Sequence, residues 1–412
     1  MSNTRLEERI REEIRRKGRI TFAKFMRAAL YDPIDGYYTS HQAIGAAGDF
    51  YTSPVASPVF GALLARQMEQ MWRLLDKPAK FSIIEFGAGT GMLCHDILTY
   101  AAKDLPDFWQ TIEYLPIEHR KAQIEWLQSE PLCKGKIIST ADVSHRETGC
   151  ILANEFLDAL PVHRVTVKGG RLLEIYVSAT TNAFLDELDL PSTPALAERL
   201  AAEGVMLQEG WVTDVCLESD EWVGKWASLL KKGFILAVDY GDMAQDLFSE
   251  RRKAGSLLCH FKHTYSTNPY ERVGRQDITA HVDFTSVINA GKRRGFNEDG
   301  YSTQANFLSK LGIHDFLSLL EKSPISNRDI MANRMGIREL IKEDGLGKFK
   351  VLTMSKGMST GQLAGFLGQP QKINMPPVKG IPLLTDRHTS LLQGKYPHQD
   401  FDAEELWKEL TS

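Results

Sequence analysis

The chain has 412 residues, 43% hydrophobic and 25% charged, enough apolar material for a sizeable core, which excludes a disordered chain or a disulfide-stapled miniature. Lys and Arg number 49 against 53 Asp and Glu, a formal net charge of −4, so no general basic field is present to hold a phosphate backbone and nucleic-acid binding is not expected. The five cysteines (Cys94, Cys133, Cys150, Cys216 and Cys259) form an odd set without a CxxC pair, as expected of reduced thiols, and no metal centre is expected.

At the N-terminus Arg5, Arg9, Arg11, Arg15 and Arg16 interleave with Glu7, Glu8, Glu12 and Glu13. A mitochondrial presequence is poor in acids, so an ordinary amphipathic helix is expected, with Leu6, Ile10 and Ile14 on its apolar edge and Gly18 near its end. The bacterial cytoplasm is the expected address. No apolar run approaches the ~18–20 residues of a membrane span, so no membrane insertion is expected. Thr21 caps a second helix with Phe22, Phe25, Met26, Ala29 and Leu30 at helical spacing, and 31–38 is turn chemistry around Pro33 and Gly36. A Gly- and Ala-rich loop at 44–48 leads through Pro58 into a helix over 59–75.

The first strong strand is predicted over 81–86, followed by a glycine loop and a helix over 92–102, the opening of a βα unit. Strand-like runs recur at 112–118, 136–139, 150–153 and 234–239, with helices over 120–129 and 220–232, an alternation that predicts a doubly wound, mostly parallel sheet. Pro116 is awkward inside the second run, because a proline in a central strand removes a ladder donor. An insertion interrupts the sheet: 162–168, Gly169-Gly170 and 171–177 read as a β-hairpin with a two-glycine turn. Beyond Lys356 a shift to Gly, Pro and Gln predicts a loose C-terminal extension ending in a short amphipathic helix over 403–410. The expected organisation is a helical N-terminal section (1–78), an α/β domain (79–355) with an insertion at about 162–215, and the extension (356–412).

Between the first strand and its helix stands Glu85-Phe86-Gly87-Ala88-Gly89-Thr90-Gly91. A dinucleotide fingerprint would place a glycine three residues after Gly89, where Met92 stands; here the third glycine is Gly91. Glu85 would repel a pyrophosphate and attract the ammonium of a methionine moiety. GxGxG behind an acid therefore fits S-adenosyl-L-methionine, with Glu85, Gly87, Ala88, Gly89 and Gly91 as candidate cofactor residues. Glu118, after the next strand, is placed to bridge two ribose hydroxyls. A dinucleotide site would want the same acid, so a dinucleotide-dependent oxidoreductase stays an alternative; a simple turn is the bland one.

Asn154, Glu155 and Asp158 follow the fourth strand, at the end where an open α/β sheet keeps its ligand crevice. They are candidate catalytic residues, and Glu155 and Asp158 candidate substrate residues; the competing role is helix capping, with Asn154 as N-cap. In 274–284, Thr279 or Asp283 can cap the helix over 284–294, and His281 is either a substrate residue or a structural hydrogen-bonding group. Cys259-His260 and His263 lack a complementary ligand pair. GK[ST] and HExxH elements are absent.

Ala29-Leu30-Tyr31-Asp32-Pro33 through Gly36-Tyr37-Tyr38, Gly48-Asp49-Phe50-Tyr51-Thr52-Ser53-Pro54, the Glu85–Gly91 loop, Asn154-Glu155-Phe156-Leu157-Asp158-Ala159-Leu160-Pro161-Val162, Val238-Asp239-Tyr240-Gly241 and Asp277-Ile278-Thr279-Ala280-His281-Val282-Asp283-Phe284 together resemble the MidA family. The blocks occur in the family's order and cover about residues 20–355. The resemblance implies a class I (Rossmann-like) α/β methyltransferase with a helical N-terminal section and an inserted lobe. It implies S-adenosyl-L-methionine as cofactor, contacts from Gly87, Gly89 and Glu118, and cofactor- or substrate-side residues at Thr52, Ser53, Asn154, Glu155 and Asp158. Because the family includes a complex I assembly factor that methylates an arginine, it also implies a protein acceptor with an exposed arginine, a respiratory complex I subunit among the candidates. Carboxylates at Glu155 and Asp158 would orient such a guanidinium by paired hydrogen bonds. The chain departs from the family where His119-Arg120-Lys121 follows Glu118 in place of Ser-Pro. The reading from another class is a catalytically weak assembly factor that uses the sheet as a binding platform. Nothing in the sequence specifies an oligomeric state.

Overall fold

The computed structural model describes residues 5–40, 51–138, 143–262, 264–358, 362–367 and 375–391. The 44–48 loop, Gly48-Asp49-Phe50 and the expected helix over 403–410 lie outside the described residues. The apolar runs become β1 (Phe81–Phe86), β2 (Ile112–Ile117), β3 (Arg146–Asn154) and β4 (Leu230–Asp239), joined by β5 (Phe296–Thr303) and β6 (Lys350–Lys356) in one sheet of order β5-β6-β4-β3-β1-β2. The first four are parallel, with Phe86 opposite Ile117 and Ala153, and Asn154 opposite Val238; β6 runs antiparallel to both of its neighbours, β4 and β5.

Successive side chains of a strand point to opposite faces, and here both faces are covered. Ile83, Tyr114 and Leu152 pack under α3 (Pro58–Leu74) and α4 (Met92–Asp104), with Leu64, Met68 and Ile97. Ile84, Leu115 and Ile151 pack under α5 (Glu218–Leu229) and α6 (Phe284–Arg293), with Val223, Trp226 and Val287. Burial on both sides is why these strands read as continuous apolar runs.

The 136–139 expectation is corrected. Its described residues, 136–138, make an isolated parallel bridge, Tyr114 with Ile137, with Tyr114 N–H donating to the Lys136 carbonyl at 2.8 Å and Ile138 N–H to the Tyr114 carbonyl at 2.8 Å. Backbone groups alternate sides along a strand, so Pro116 also turns its nitrogen outward and the β1–β2 ladder loses no donor. The predicted helix over 120–129 is two short 3₁₀ turns, Lys121–Gln123 and Glu125–Gln128.

The hairpin forms as expected. His163–Lys168 and Arg171–Ala179 are joined by Gly169 (φ +61°) and Gly170 (φ +69°), the two left-handed positions that a tight turn matched to strand twist requires. Ile20–Thr21 adds to the same sheet. Helices α1 (Arg5–Lys17) and α2 (Phe22–Tyr31) pack on it through Leu6, Ile10, Phe22 and Phe25 against Val162, Val177 and Phe184. The N-terminal helices and the insertion, far apart in sequence, share one core. The extension is less loose than expected in its described part: Arg66 Nη1 donates to the Pro376 carbonyl at 2.8 Å and Thr389 N–H to the Val55 carbonyl at 3.2 Å, and the His388 ring lies 3.1 Å from the Asp96 carboxylate of α4. No helix among the described residues is long and apolar enough to cross a membrane.

Strand contact at the sheet centre leaves no space at Gly149, where an added Cβ would lie 2.1 Å from the Ser82 carbonyl oxygen of β1. Gly149→Ala is expected to lower unfolding free energy by about 1–3 kcal/mol, read as a lower urea midpoint at unchanged slope; an unchanged midpoint would show that the strands can part.

Candidate active site

The chain leaves β1 for β2 on one flank and later crosses to β3 on the other, so the switch point of the sheet lies at the carboxyl ends of β1 and β3. There Gly87 (φ +71°), Gly89 (φ +54°) and Gly91 (φ +80°) carry the chain into α4 through left-handed conformations that glycine adopts at little cost. Their surroundings differ. A Cβ at Gly91 would meet Leu127 at 2.8 Å, and one at Gly87 would meet the Phe156 ring at 3.1 Å. Gly87 and Ala88 N–H donate to the Ile117 carbonyl at 2.9 and 3.2 Å. Glu118 accepts Gly89 N–H on one oxygen at 2.8 Å and Arg120 N–H on the other at 3.0 Å, which holds its carboxylate against the loop.

A cavity of about 420 Å³ opens at this point. Gly87, Gly89, Glu118 and Gln123 form one part of its wall; Phe86, Ile117, Phe156 and Trp222 form an apolar part; Tyr31, Tyr38, Thr52, Glu155, Asp158 and Asp277 form a third. Trp222 stands edge-on to Phe156, with centroids 4.9 Å apart, and the Tyr31 and Tyr38 rings stack at 5.4 Å. The tyrosines are fixed by their hydroxyls, Tyr31 donating to the Ala159 carbonyl at 2.9 Å and Tyr38 to the Asp277 carboxylate at 2.7 Å.

No helix follows β3, so the capping role considered for Asn154 is corrected. The chain makes a turn with Glu155 at φ +49°, unusual for a residue with a Cβ. Asp239, at the end of β4, supplies the acceptors: its Oδ2 takes the N–H groups of Phe156, Leu157 and Asp158 at 3.1, 2.8 and 3.3 Å, and its Oδ1 that of Tyr240 at 2.8 Å. Asn154 instead donates its amide to Glu155 Oε1 at 3.3 Å, and the Ser53 N–H also binds the Glu155 carboxylate. Burial and neighbouring Asp158 push Glu155 up to about 8. Burial, Asp239 and Asp277 raise Asp158 well above the carboxylate range, and burial and Glu155 push Asp239 up to about 7. A cation entering the cavity would relieve this crowding of acids.

Of the residues singled out from sequence, Thr52, Gly87, Gly89, Glu118, Glu155 and Asp158 stand on the cavity wall. Glu85, Ala88, Gly91, Ser53, Asn154 and His281 do not. Strand alternation turns Glu85 toward α3 and α4. It is 2% exposed and accepts from the Tyr114 hydroxyl at 2.9 Å, and burial pushes it up to about 8; direct attraction of an ammonium by Glu85 is therefore corrected. The Ser53 hydroxyl donates to Gln304 at 3.2 Å. His281 is corrected as a substrate residue: its Nδ1 lies 2.5 Å from Arg252 Nη1, and burial and that guanidinium lower it to about 4, so the ring is neutral. Tyr31, Tyr38, Phe156, Trp222, Asp239 and Asp277 were missed. All but Trp222 fall inside the motif blocks, which was the available signal, but a linear motif does not separate wall residues from turn residues. Among the described residues no group of three or more His, Cys, Asp or Glu could hold a metal ion; His263 lies outside them.

A family profile of S-adenosyl-L-methionine-dependent methyltransferases matches residues 63–302. The protein arginine methyltransferase NDUFAF7 homolog, mitochondrial, of Drosophila melanogaster is 27% identical over 87% of this chain and 86% of its own; the human protein arginine methyltransferase NDUFAF7, mitochondrial, is 28% identical over 76% of this chain and 74% of its own. The crystal structure of a Burkholderia thailandensis protein bound to S-adenosyl-homocysteine superposes with TM-score 0.80 at 32% identity, covering 88% of this chain and 94% of that one.

Glu85 holds its proton more tightly folded than unfolded. The stability it contributes is complete below the ordinary value of 4.5 and is lost as pH rises toward about 8. Relative to Glu85→Gln, the wild-type unfolding free energy should fall by roughly 1.4 kcal/mol per pH unit between pH 6 and 7 and level off through about 8; parallel profiles from denaturant unfolding would exclude a buried proton there.

Proposed function

We propose that this chain, which belongs to the S-adenosyl-L-methionine-dependent methyltransferase family, transfers its methyl group to an arginine side chain of a protein. The residues present fit the cofactor. The switch-point cavity offers glycine backbone at Gly87 and Gly89 and a fixed carboxylate at Glu118, and none of the described residues lining it is Lys or Arg, as suits a cationic ligand and not a pyrophosphate. That charge pattern also weighs against the dinucleotide alternative. When bound, the cofactor supplies a methyl group on a positively charged sulfur. Glu118 already accepts two N–H groups, and a carboxylate has further lone pairs for a ribose diol.

The arginine assignment rests above all on the half-buried carboxyl of Glu155 and the buried carboxyls of Asp158 and Asp277, which line one cavity with Tyr31 and Tyr38. A guanidinium is planar, permanently charged and weakly hydrated, and carboxylates orient its fork by paired hydrogen bonds. Asp158 would hold the fork, and Glu155, pushed up to about 8, would take the proton released at the methylated nitrogen. Positioning would supply most of the acceleration. Support also comes from relatives named protein arginine methyltransferases. By its resemblance to MidA proteins, a respiratory complex I subunit, reached in the bacterial cytoplasm, is the first acceptor to test. Labelled cofactor added to protein from cells lacking the gene, with arginine methylation read by mass spectrometry, tests this; cofactor binding without transfer would favour the binding platform.

Glu118→Ala should weaken S-adenosyl-homocysteine binding tenfold or more by calorimetry, since charged hydrogen bonds are worth about 1.5–3 kcal/mol; a change below twofold would place the ribose elsewhere. Asp158→Asn and Glu155→Gln should lower methyl transfer by about 10² or more, from the ~3 kcal/mol of a lost charged hydrogen bond, while cofactor affinity stays within about threefold. Loss of cofactor binding in both variants would move the acceptor site away from this turn.

A further inference from the structure

Asp239 is absent from the cavity wall, yet the turn that reaches the wall hangs on it. Register explains the meeting: Asn154 pairs with Val238 across β3 and β4, and Glu155 N–H donates to the Val238 carbonyl at 2.8 Å. The next residues of both strands therefore emerge side by side at the carboxyl edge of the sheet. Glu155 takes a left-handed conformation at φ +49°, and the following N–H groups of Phe156, Leu157 and Asp158 converge on Asp239 Oδ2. Successive N–H groups presented after a left-handed residue form a concave anion site. In this protein the anion that fills it is a side chain of the neighbouring strand, fully buried.

We infer that Asp239 is a positioning residue for methyl transfer, which clamps the backbone carrying Glu155 and Asp158 so that both carboxyls face the acceptor. The inference rests on the proposed role of Glu155 and Asp158. A carboxylate is the side chain that suits this place, because both oxygens accept and all four donors, Tyr240 N–H included, are met. Asparagine would offer one accepting oxygen and turn an NH₂ toward N–H donors. A residue with a Cβ held at positive φ is retained when its surroundings over-determine it, and such residues gather at functional sites.

The test uses the full chain with labelled S-adenosyl-L-methionine and, as acceptor, total protein from cells lacking the gene. Asp239→Asn should label at one-tenth of the wild-type rate or less, with S-adenosyl-homocysteine affinity within about threefold. The acidic limb of rate against pH should move down by about half a unit or more. Glu155 faces Asp158, Asp239 and Tyr240 and is held by Asn154 and the Ser53 N–H, so it loses one neighbouring charge in this variant; loss of folded protein alone would lower the rate at every pH and leave the limb in place. Amide hydrogen exchange at Phe156, Leu157 and Asp158 should quicken tenfold or more while β1 and β2 keep their protection. A second measurement covers poor folding: Asp239→Asn should lower the urea midpoint less in a Glu155→Gly background, where no strain needs holding. Wild-type labelling by Asp239→Asn, loss of cofactor binding, or equal destabilisation in both backgrounds would overturn the inference. If Glu155→Gln labels as wild type does, the acceptor role falls, and exchange and the double variant still decide whether Asp239 clamps the turn.

Discussion

The crevice at the carboxyl edge of the sheet exists because β1 is hydrogen-bonded on both sides to parallel strands that the chain reaches in opposite directions. Connections from β1 to β2 and into β3 must leave that edge on different flanks, and the space between them cannot be closed by either. The glycine loop, Glu118 and the Glu155 turn are the chain's exits from these strands. Their convergence is a property of topology before it is one of chemistry. The switch point depends in turn on the two-sided core, since a strand unburied on either face would not hold β1 central.

Half-buried Glu155 and buried Asp158 and Asp239 lie close together, and each raises the proton affinity of another. Folding alone gives no reason for such a cluster, because taking carboxyls out of water is costly unless every one is paired. The structure divides the task. Asp239 is satisfied by backbone N–H groups and stays off the cavity. Glu155 is braced by Asn154 and Ser53 from behind, and it shares the wall with Asp158. Under the proposed function, acids left crowded at a cavity wall are arranged for a cation that arrives from outside.

The far wall comes from the lobe that α1 and α2 build with the inserted hairpin. Tyr31 ends α2, and its hydroxyl is bound to Ala159 in the turn after β3, while Tyr38 reaches Asp277, ahead of α6. The lobe is therefore tied to the same turn that Asp239 holds. The wall at Phe86, Ile117, Phe156 and Trp222 and the wall at Tyr31 and Tyr38 rest on separate cores. Under the proposed function, acceptor preference can vary with the lobe while the loop around Gly87 and Gly89 is left alone.

Local chemistry was legible in the sequence wherever one residue decides it. Apolar runs gave the central strands, Gly169-Gly170 the hairpin turn, and the glycine spacing behind Glu85 the cofactor type, because backbone conformation and strand burial are set within a few residues. What lay beyond reach depends on which strands become neighbours. Pro116 is harmless only because Tyr114, two residues earlier, turns its amide outward; the described residues 136–138 of the next run make a single bridge at that edge in place of a ladder. Glu85 belongs to the cofactor motif by spacing, but the strand's alternation turns it away from the cavity. His281 lies in a motif block beside Asp277, yet Asp277 reaches the cavity and His281 pairs with Arg252. Asp239 becomes the partner of residues 156–158 through the β3–β4 register alone, an interaction between strands separated by the whole inserted lobe. Residue type and spacing thus determined what each segment could bind, and the pairing of distant strands decided which side chains share one cavity.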